Sequence, residues 1–209
     1  MFSKSELENV RNILRNNVRL DGRNLKDERQ VLVNRLDLPF YDQAYNIKLG
    51  NTEINIFFTF QYSKQNENGT KIQENILFLF LQPLFEKYFK PFDCKINYTV
   101  IHNDGNLPSA ILYGLEEIIF SLQLPEIEVQ NLVCADVTED RKKKKMLTPL
   151  FGHEVMAILG NKEFSDPNLI EEQAADHIMT QINFDDKKIM FFESKEGIPL
   201  QDLIKMMKK

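Results

Sequence analysis

The chain has 209 residues, of which 43% are hydrophobic and 27% charged, the composition of an ordinary soluble globular protein. No apolar run approaches the roughly 20 residues that span a bilayer, and Met1-Phe2-Ser3-Lys4-Ser5-Glu6 lacks the apolar centre of a signal peptide. A net charge of −5 does not advertise an autonomous nucleic-acid binder.

The charge is uneven. Residues 1–35 hold eight Lys/Arg against five Asp/Glu, while the remainder is acidic, so the N-terminal part suits contact with RNA or with an acidic neighbour. Cys94 and Cys134 each sit in an apolar, strand-like run. They read as buried, reduced thiols of an intracellular protein. No His/Cys spacing of a zinc site is present. The length suits one large domain or two small ones with a substantial core.

Ser5 to Asn16 reads as a helix capped by Ser5 with Glu8 three residues on, and Leu7, Val10, Ile13 and Leu14 line one face. After an Asp21-Gly22 turn, Gln30 to Val33 is the first predicted strand. Tyr45 to Leu49 and Glu53 to Phe58 flank Gly50-Asn51, a hairpin signal because such turns need a residue tolerant of positive φ. A polar loop covers Ser63 to Gly69. Ile72, Ile76, Phe80, Leu84 and Tyr88 then repeat at helical spacing, interrupted by Pro83, which removes a backbone donor.

Lys95 to His102 alternates as a strand, Asn103-Asp104-Gly105-Asn106 turns, and Pro108 pre-sets the start of a helix from Leu107 to Leu122, ended by Leu124-Pro125-Glu126. Strand-like runs follow at Val129 to Val137, Glu154 to Leu159, Ile178 to Phe184 and Lys188 to Phe192, with Asp185-Asp186 as a turn. Ile198 to Met207 reads as an amphipathic helix. Adjacent strand pairs broken by helices give an α+β class with no clear internal linker.

Several segments carry chemistry-bearing residues at close spacing: Arg19-x-Asp21-Gly22-Arg23 with Arg29 six residues on, Ile47-Lys48-Leu49-Gly50-Asn51-Thr52, Asn103-Asp104-Gly105-Asn106 followed by a helix and Leu124-Pro125-Glu126, and Asp166-Pro167-x-Leu169-x-Glu171-Glu172-x-x-x-Asp176. In order and spacing they resemble the RNase PH-like ring subunits of RNA-degrading exosomes, and the last resembles their inactive branch. The resemblance implies a shortened RNase PH-like (ribosomal protein S5 domain 2-like) fold. It would be a single domain over 1–209, with an N-terminal helix and arm over about 1–25 and family material missing around Tyr62 to Thr70. It also implies a hetero-oligomeric ring with other RNase PH-like chains, capped by S1/KH-type proteins, threading RNA, and working in the nucleus, nucleolus included, and the cytoplasm. No cofactor, metal or membrane is expected.

Phosphorolysis needs a phosphate pocket of arginines or backbone amides and an acid for the departing oxygen. Active relatives carry a Gly-rich, Arg-bearing helix start and an Asp about a dozen residues past the strand that here ends at Ser165-Asp166. No such cradle occurs here, that spacing falls on Ile178, and Asp176 matches a structural position instead. The chain therefore reads as a non-catalytic ring subunit. The competing readings are an active phosphate-dependent 3'-5' exoribonuclease and an unrelated α+β adaptor or small-molecule enzyme.

Candidates for RNA contact are Arg19, Arg23 and Arg29, together with the run Arg141, Lys142, Lys143, Lys144 and Lys145, read as a loop between strands. Asp21, Gly22, Gly50, Asp104, Gly105, Asp166, Pro167 and Asp176 are the expected structural positions. The plainer reading pairs Asp21 with Arg23 locally. It takes Glu171, Glu172 and Asp176 as carboxylates on an exposed helix start that favour its dipole. His102, His153 and His177 are scattered singly and read as structural.

Overall fold

The computed structural model describes residues 2–62, 71–72, 92–121, 123–125, 143–145, 152–184 and 187–194. The expected helix with Pro83, the strand at 129–137, the turn at 185–186 and the helix at 198–207 lie outside these residues, apart from Ile72. That residue is a strand residue beside Ile96, not the start of a helix.

The first helix, α1 (Lys4–Arg15), starts one turn-edge earlier than expected. Ser3-x-x-Glu6 and Ser5-x-x-Glu8 are equivalent capping signals, and the first is used. The Ser3 hydroxyl accepts from the Glu6 amide at 3.3 Å, and the Glu6 carboxylate accepts from the Ser3 amide at 2.7 Å. α1 buries Val10 and Leu14 against Ala157, Leu159, Phe164 and Ala174.

A five-stranded sheet has the order β1-β2-β3-β5-β4, from β1 (Val31–Arg35), β2 (Gln43–Leu49), β3 (Thr52–Tyr62), β4 (Lys71–Ile72) and β5 (Phe92–His102). All pairs are antiparallel except β4 with β5. The β2–β3 hairpin closes at Gly50-Asn51 with Leu49 opposite Thr52. Strand alternation sends Tyr45, Ile47, Leu49, Ile54, Ile56 and Phe58 to one face. There α2 (Leu107–Ser121) covers them, apolar on most sides and buried along its length. Gly114 permits the close approach, since a Cβ there would lie 2.7 Å from Ile56.

After α2 the chain enters β6 (Gln123–Pro125), which pairs antiparallel with β7 (Lys143–Lys145). The helix ends before Leu124-Pro125, as expected, and one expectation is corrected: Lys143, Lys144 and Lys145 are a strand, not a loop. Backbone pairing is indifferent to side-chain charge, so the lysine run concealed it. Proline is tolerated because the strand lies at an edge among the described residues.

The second sheet runs β11-β10-β8-β9, all antiparallel, from β8 (Gly152–Leu159), β9 (Lys162–Ser165), β10 (His177–Phe184) and β11 (Lys187–Ser194). A short helix, α3 (Leu169–Ala174), joins β9 to β10. Ile182 and Phe191 reach the α2 core, so the two sheets share one apolar interior. No helix among the described residues is long and apolar enough to cross a membrane.

Candidate functional site: an arginine clasp and the cleft beside it

The short motifs far apart in the chain meet in one place. Asn17, at φ 61, turns the chain out of α1 and delivers Arg19 inward, where it is 2% exposed. A guanidinium carries five N–H donors, and all are engaged. Nε donates to Glu171 Oε1 at 2.9 Å and Nη2 to Glu171 Oε2 at 2.5 Å. The rest donate to the carbonyls of Asp27 (3.3 Å), Ser165 (2.8 Å) and Asp166 (2.8 Å). Arg19 thus serves the fold, and no donor is left for a phosphate.

Glu171 is also fully buried. It closes a capping box on α3, accepting from the Asn168 amide at 2.9 Å while Asn168 Oδ1 accepts from the Glu171 amide at 3.0 Å. The expectation of carboxylates on an exposed helix start is therefore corrected: the helix start faces inward because Arg19 compensates the charge there.

Arg23 and Arg29 converge on Asp166. Arg29 donates from Nε and Nη2 to the two carboxylate oxygens at 2.9 and 2.7 Å, and its backbone amide adds a bond at 2.7 Å. Arg23 donates to Asp166 Oδ2 at 2.8 Å and to Asp21 Oδ2 at 2.8 Å. Asn106 Nδ2 supplies a further donor at 2.6 Å. Burial alone would raise the Asp166 carboxyl, but the bonds from Arg29 and Asn106 hold it below the ordinary carboxylate range. Arg23 and Arg29 keep side-chain exposures of only 14% and 10%.

The other motifs close around this centre. Arg29 Nη1 donates to the Asp104 carbonyl at 3.0 Å, and its stem lies against Gly50, where a Cβ would come within 2.5 Å. Thr52 Oγ1 donates to the Gly105 carbonyl at 2.6 Å and accepts from the Asp104 amide at 3.0 Å. The Pro167 carbonyl accepts from Arg29 at 3.3 Å. Gly22 forms the turn between Asp21 and Arg23. Asp176 lies apart from the clasp, bonded to Arg11 at 3.2 Å and to the Gly160 amide at 2.9 Å, where it ties α1 to the β8–β9 turn. Arg141 and Lys142 lie outside the described residues, and of Lys143 to Lys145 only the strand backbone is described. Thr52 and Asn106 were present in the quoted motifs, yet their role emerges only once the motifs meet.

Beside the clasp, a cleft of about 490 Å³ opens between the start of α2, α3 and β10–β11. Leu107, Pro108, Ile111, Ile178 and Phe191 form apolar walls, and Glu172, Asp176, His177 and Glu193 are the titratable side chains of the lining. Among the described lining residues there is no Lys or Arg. Glu172 accepts from the Asn106 amide at 2.6 Å. Burial pushes its carboxyl up to about 7, against the pull of that bond and of Arg29, and with a further push from Glu193 and Asp166. Among the described residues no group of three or more His, Cys, Asp and Glu could hold a metal ion.

The sign of the Glu172 shift gives a testable pH dependence. Its carboxyl is raised in the fold, so the folded chain holds a proton that the unfolded chain releases, and stability falls as pH rises from about 4.5 to about 7. Glu172→Gln is expected to be more stable than the parent by about 1–3 kcal/mol at pH 7.5, with the gap closing by pH 4.5. Urea denaturation at a series of pH values checks this. His153, driven down to about 4 by burial, acts oppositely, losing stability as pH falls from 6.5 towards 4. Taking the difference between variant and parent removes its contribution.

The chain matches no protein-family model, and no curated protein matches it in sequence. Solved structures do resemble it. An archaeal exosome core chain overlays with a TM-score of 0.66 at 16% identity, covering 98% of this chain and 91% of its own. A chain of the Archaeoglobus fulgidus exosome with RNA bound to the active site gives 0.68 at 17% identity, with 98% and 92% covered. Rice (Oryza sativa) Rrp46 gives 0.60 at 13% identity, with 91% of each chain covered. The chain has the α+β, RNase PH-like fold of exosome core subunits.

Proposed function

We propose that this chain is a non-catalytic RNase PH-like subunit of an exosome ring, serving 3'-5' RNA processing and degradation by building the ring and lining the RNA path. The observation that carries the proposal is the pairing of clasp and cleft. The clasp arginines are committed to Glu171, Asp166 and backbone carbonyls, and the cleft presents Glu172, Asp176 and Glu193 to whatever enters it. Inorganic phosphate and an RNA backbone are both anionic. Among the described lining residues there is no Lys or Arg, and Arg11 is already paired with Asp176, so this cleft offers such an anion little of the positive charge that phosphorolysis requires.

Exposed apolar side chains support an assembled state. Val18, Leu20, Leu32, Phe40, Ile101 and Phe120 are all at least 45% exposed, and apolar side chains that a ring neighbour covers would be left exposed in this way on the chain alone. The partners in this reading are other RNase PH-like chains, S1/KH-type cap proteins, and RNA through the assembled channel, in nucleus, nucleolus and cytoplasm. Within the ring, Leu124-Pro125-Glu126 and the lysine run at 141–145 favour the position of ribosomal RNA-processing protein forty-three.

Two measurements test the reading. Native mass spectrometry of the gently purified, tagged chain is expected to show a stoichiometric assembly with other RNase PH-like chains; a lone chain or unrelated partners overturns it. The purified chain, given RNA and phosphate, is expected to release no nucleoside diphosphate above a protein-free control, and Asp176→Asn to leave that baseline unchanged. Phosphate-dependent release abolished by Asp176→Asn would establish an active exoribonuclease instead.

A further inference from the structure

We propose that the loop over residues 37–42, between β1 and β2, is a preformed docking knob that inserts into an apolar socket, rimmed by Lys or Arg, on a neighbouring chain of the ring. The identity of the partner rests on the ring-subunit reading above; the knob itself rests on the loop's geometry and charge.

Asp37-Leu38-Pro39-Phe40-Tyr41-Asp42 is exposed throughout. Phe40 is 87% exposed, the most exposed large apolar side chain among the described residues, and Leu38 and Tyr41 stand beside it at 38% and 36%. The loop is nevertheless held. Leu36 N donates to Ala44 O at 2.8 Å at one end, and Asp42 N to Phe58 O at 3.0 Å at the other. Tyr41 N closes a turn onto Leu38 O at 3.2 Å, and Asp42 Oδ2 accepts from Phe60 N at 2.9 Å. The Tyr41 ring stacks on Phe57 with centroids 4.7 Å apart. Pro39 restricts the backbone further. A phenyl group presented on a fixed loop loses little conformational freedom on binding, the condition under which aromatic anchors dominate an interface.

Position and charge select the partner. Register places Leu32, Ala44 and Phe57 on the sheet face opposite α2, and the loop leaves the sheet on the side of that face, where Leu32 is 48% exposed. β1 is the edge strand of its sheet among the described residues. Asp37 and Asp42 bracket the aromatic pair, and with Arg35 at the end of β1 they leave the rim net negative. Such a rim repels nucleic-acid phosphates and is complementary to a protein socket edged by cations.

The test co-expresses the tagged full chain with the companion RNase PH-like chains of the same genome and compares the parent with Phe40→Ala and Asp37→Lys. Because Phe40 contributes almost nothing to its own chain's core, Phe40→Ala is expected to keep the melting temperature within about 1 °C. It should retain about tenfold less companion chain in a stringent wash. Asp37→Lys is expected to weaken retention in the same direction.

Undiminished retention by Phe40→Ala overturns the knob and leaves the ring reading standing, whereas no retention by the parent overturns both. Stronger retention by Asp37→Lys overturns the cationic socket. If Phe40→Ala keeps its companions but loses photo-crosslinking to an oligouridine, the loop contacts RNA and the proposal fails.

Discussion

Glu171→Ala is expected to destabilise the chain by about 3–5 kcal/mol, because it removes the bidentate counter-charge of the buried Arg19 guanidinium and leaves only Asp21, at 3.9 Å, to offset it. Domains of this size are stable by only about 5–15 kcal/mol in total, so the urea midpoint should fall steeply and the unfolded population should become visible at modest denaturant. Replacing both partners, as in Arg19→Met with Glu171→Leu, removes the charge problem. The carbonyls of Asp27, Ser165 and Asp166 would still lose their donor, so only part of the stability should return. A double-mutant cycle measures the coupling, with about 2–3 kcal/mol expected for a contacting pair of this kind. A loss below about 1 kcal/mol for Glu171→Ala would show that the chain opens locally to hydrate Arg19, and the clasp would not be what holds α3 to the N-terminal arm.

Gly105→Ala is the second large effect, acting through backbone where the first acts through charge. At φ +83 an alanine is strained, and its Cβ would lie 2.4 Å from the carbonyl carbon of Asn168 and 2.4 Å from the amide nitrogen of Leu169. Backbone cannot swing aside as a side chain would, so the turn and α3 must separate. Strain of about 1–3 kcal/mol adds to overpacking of about 1–3 kcal/mol, giving an expected loss of about 2–6 kcal/mol in thermal or urea unfolding. Two local bonds should go with it, Leu169 N to Asp104 O at 3.0 Å and Asn106 N to the Glu172 carboxylate at 2.6 Å. Amide exchange at Asn106 and Leu169 should therefore accelerate more than exchange in β2 or β3. Uniform acceleration would mean that Gly105 matters to global stability and not to the joint between the two halves.

Both predictions fall where the quoted motifs meet, which explains how the motifs were legible while their purpose was not. Apolar runs together with turn and helix-entry residues located β2, β3, β8, β10 and α2 to within a few residues, since these are local properties that burial then rewards. The cap of α1 was ambiguous because Ser3-x-x-Glu6 and Ser5-x-x-Glu8 satisfy the same rule two residues apart. The β6–β7 pair was hidden for the opposite reason. Backbone hydrogen bonds leave no signature in side chains, and a run of lysines reads as solvated whether or not its main chain is paired.

The sequence by itself determined the α+β class, the hairpin at Gly50-Asn51 and the order of the segments that resemble ring subunits. Only the tertiary structure decided which charges face inward. Arg19 lies 152 residues from Glu171 in the chain, and Arg29 lies 137 from Asp166. A charge can be buried only where a partner compensates it, so no local pattern distinguishes the guanidinium that locks the fold from one that waits for RNA.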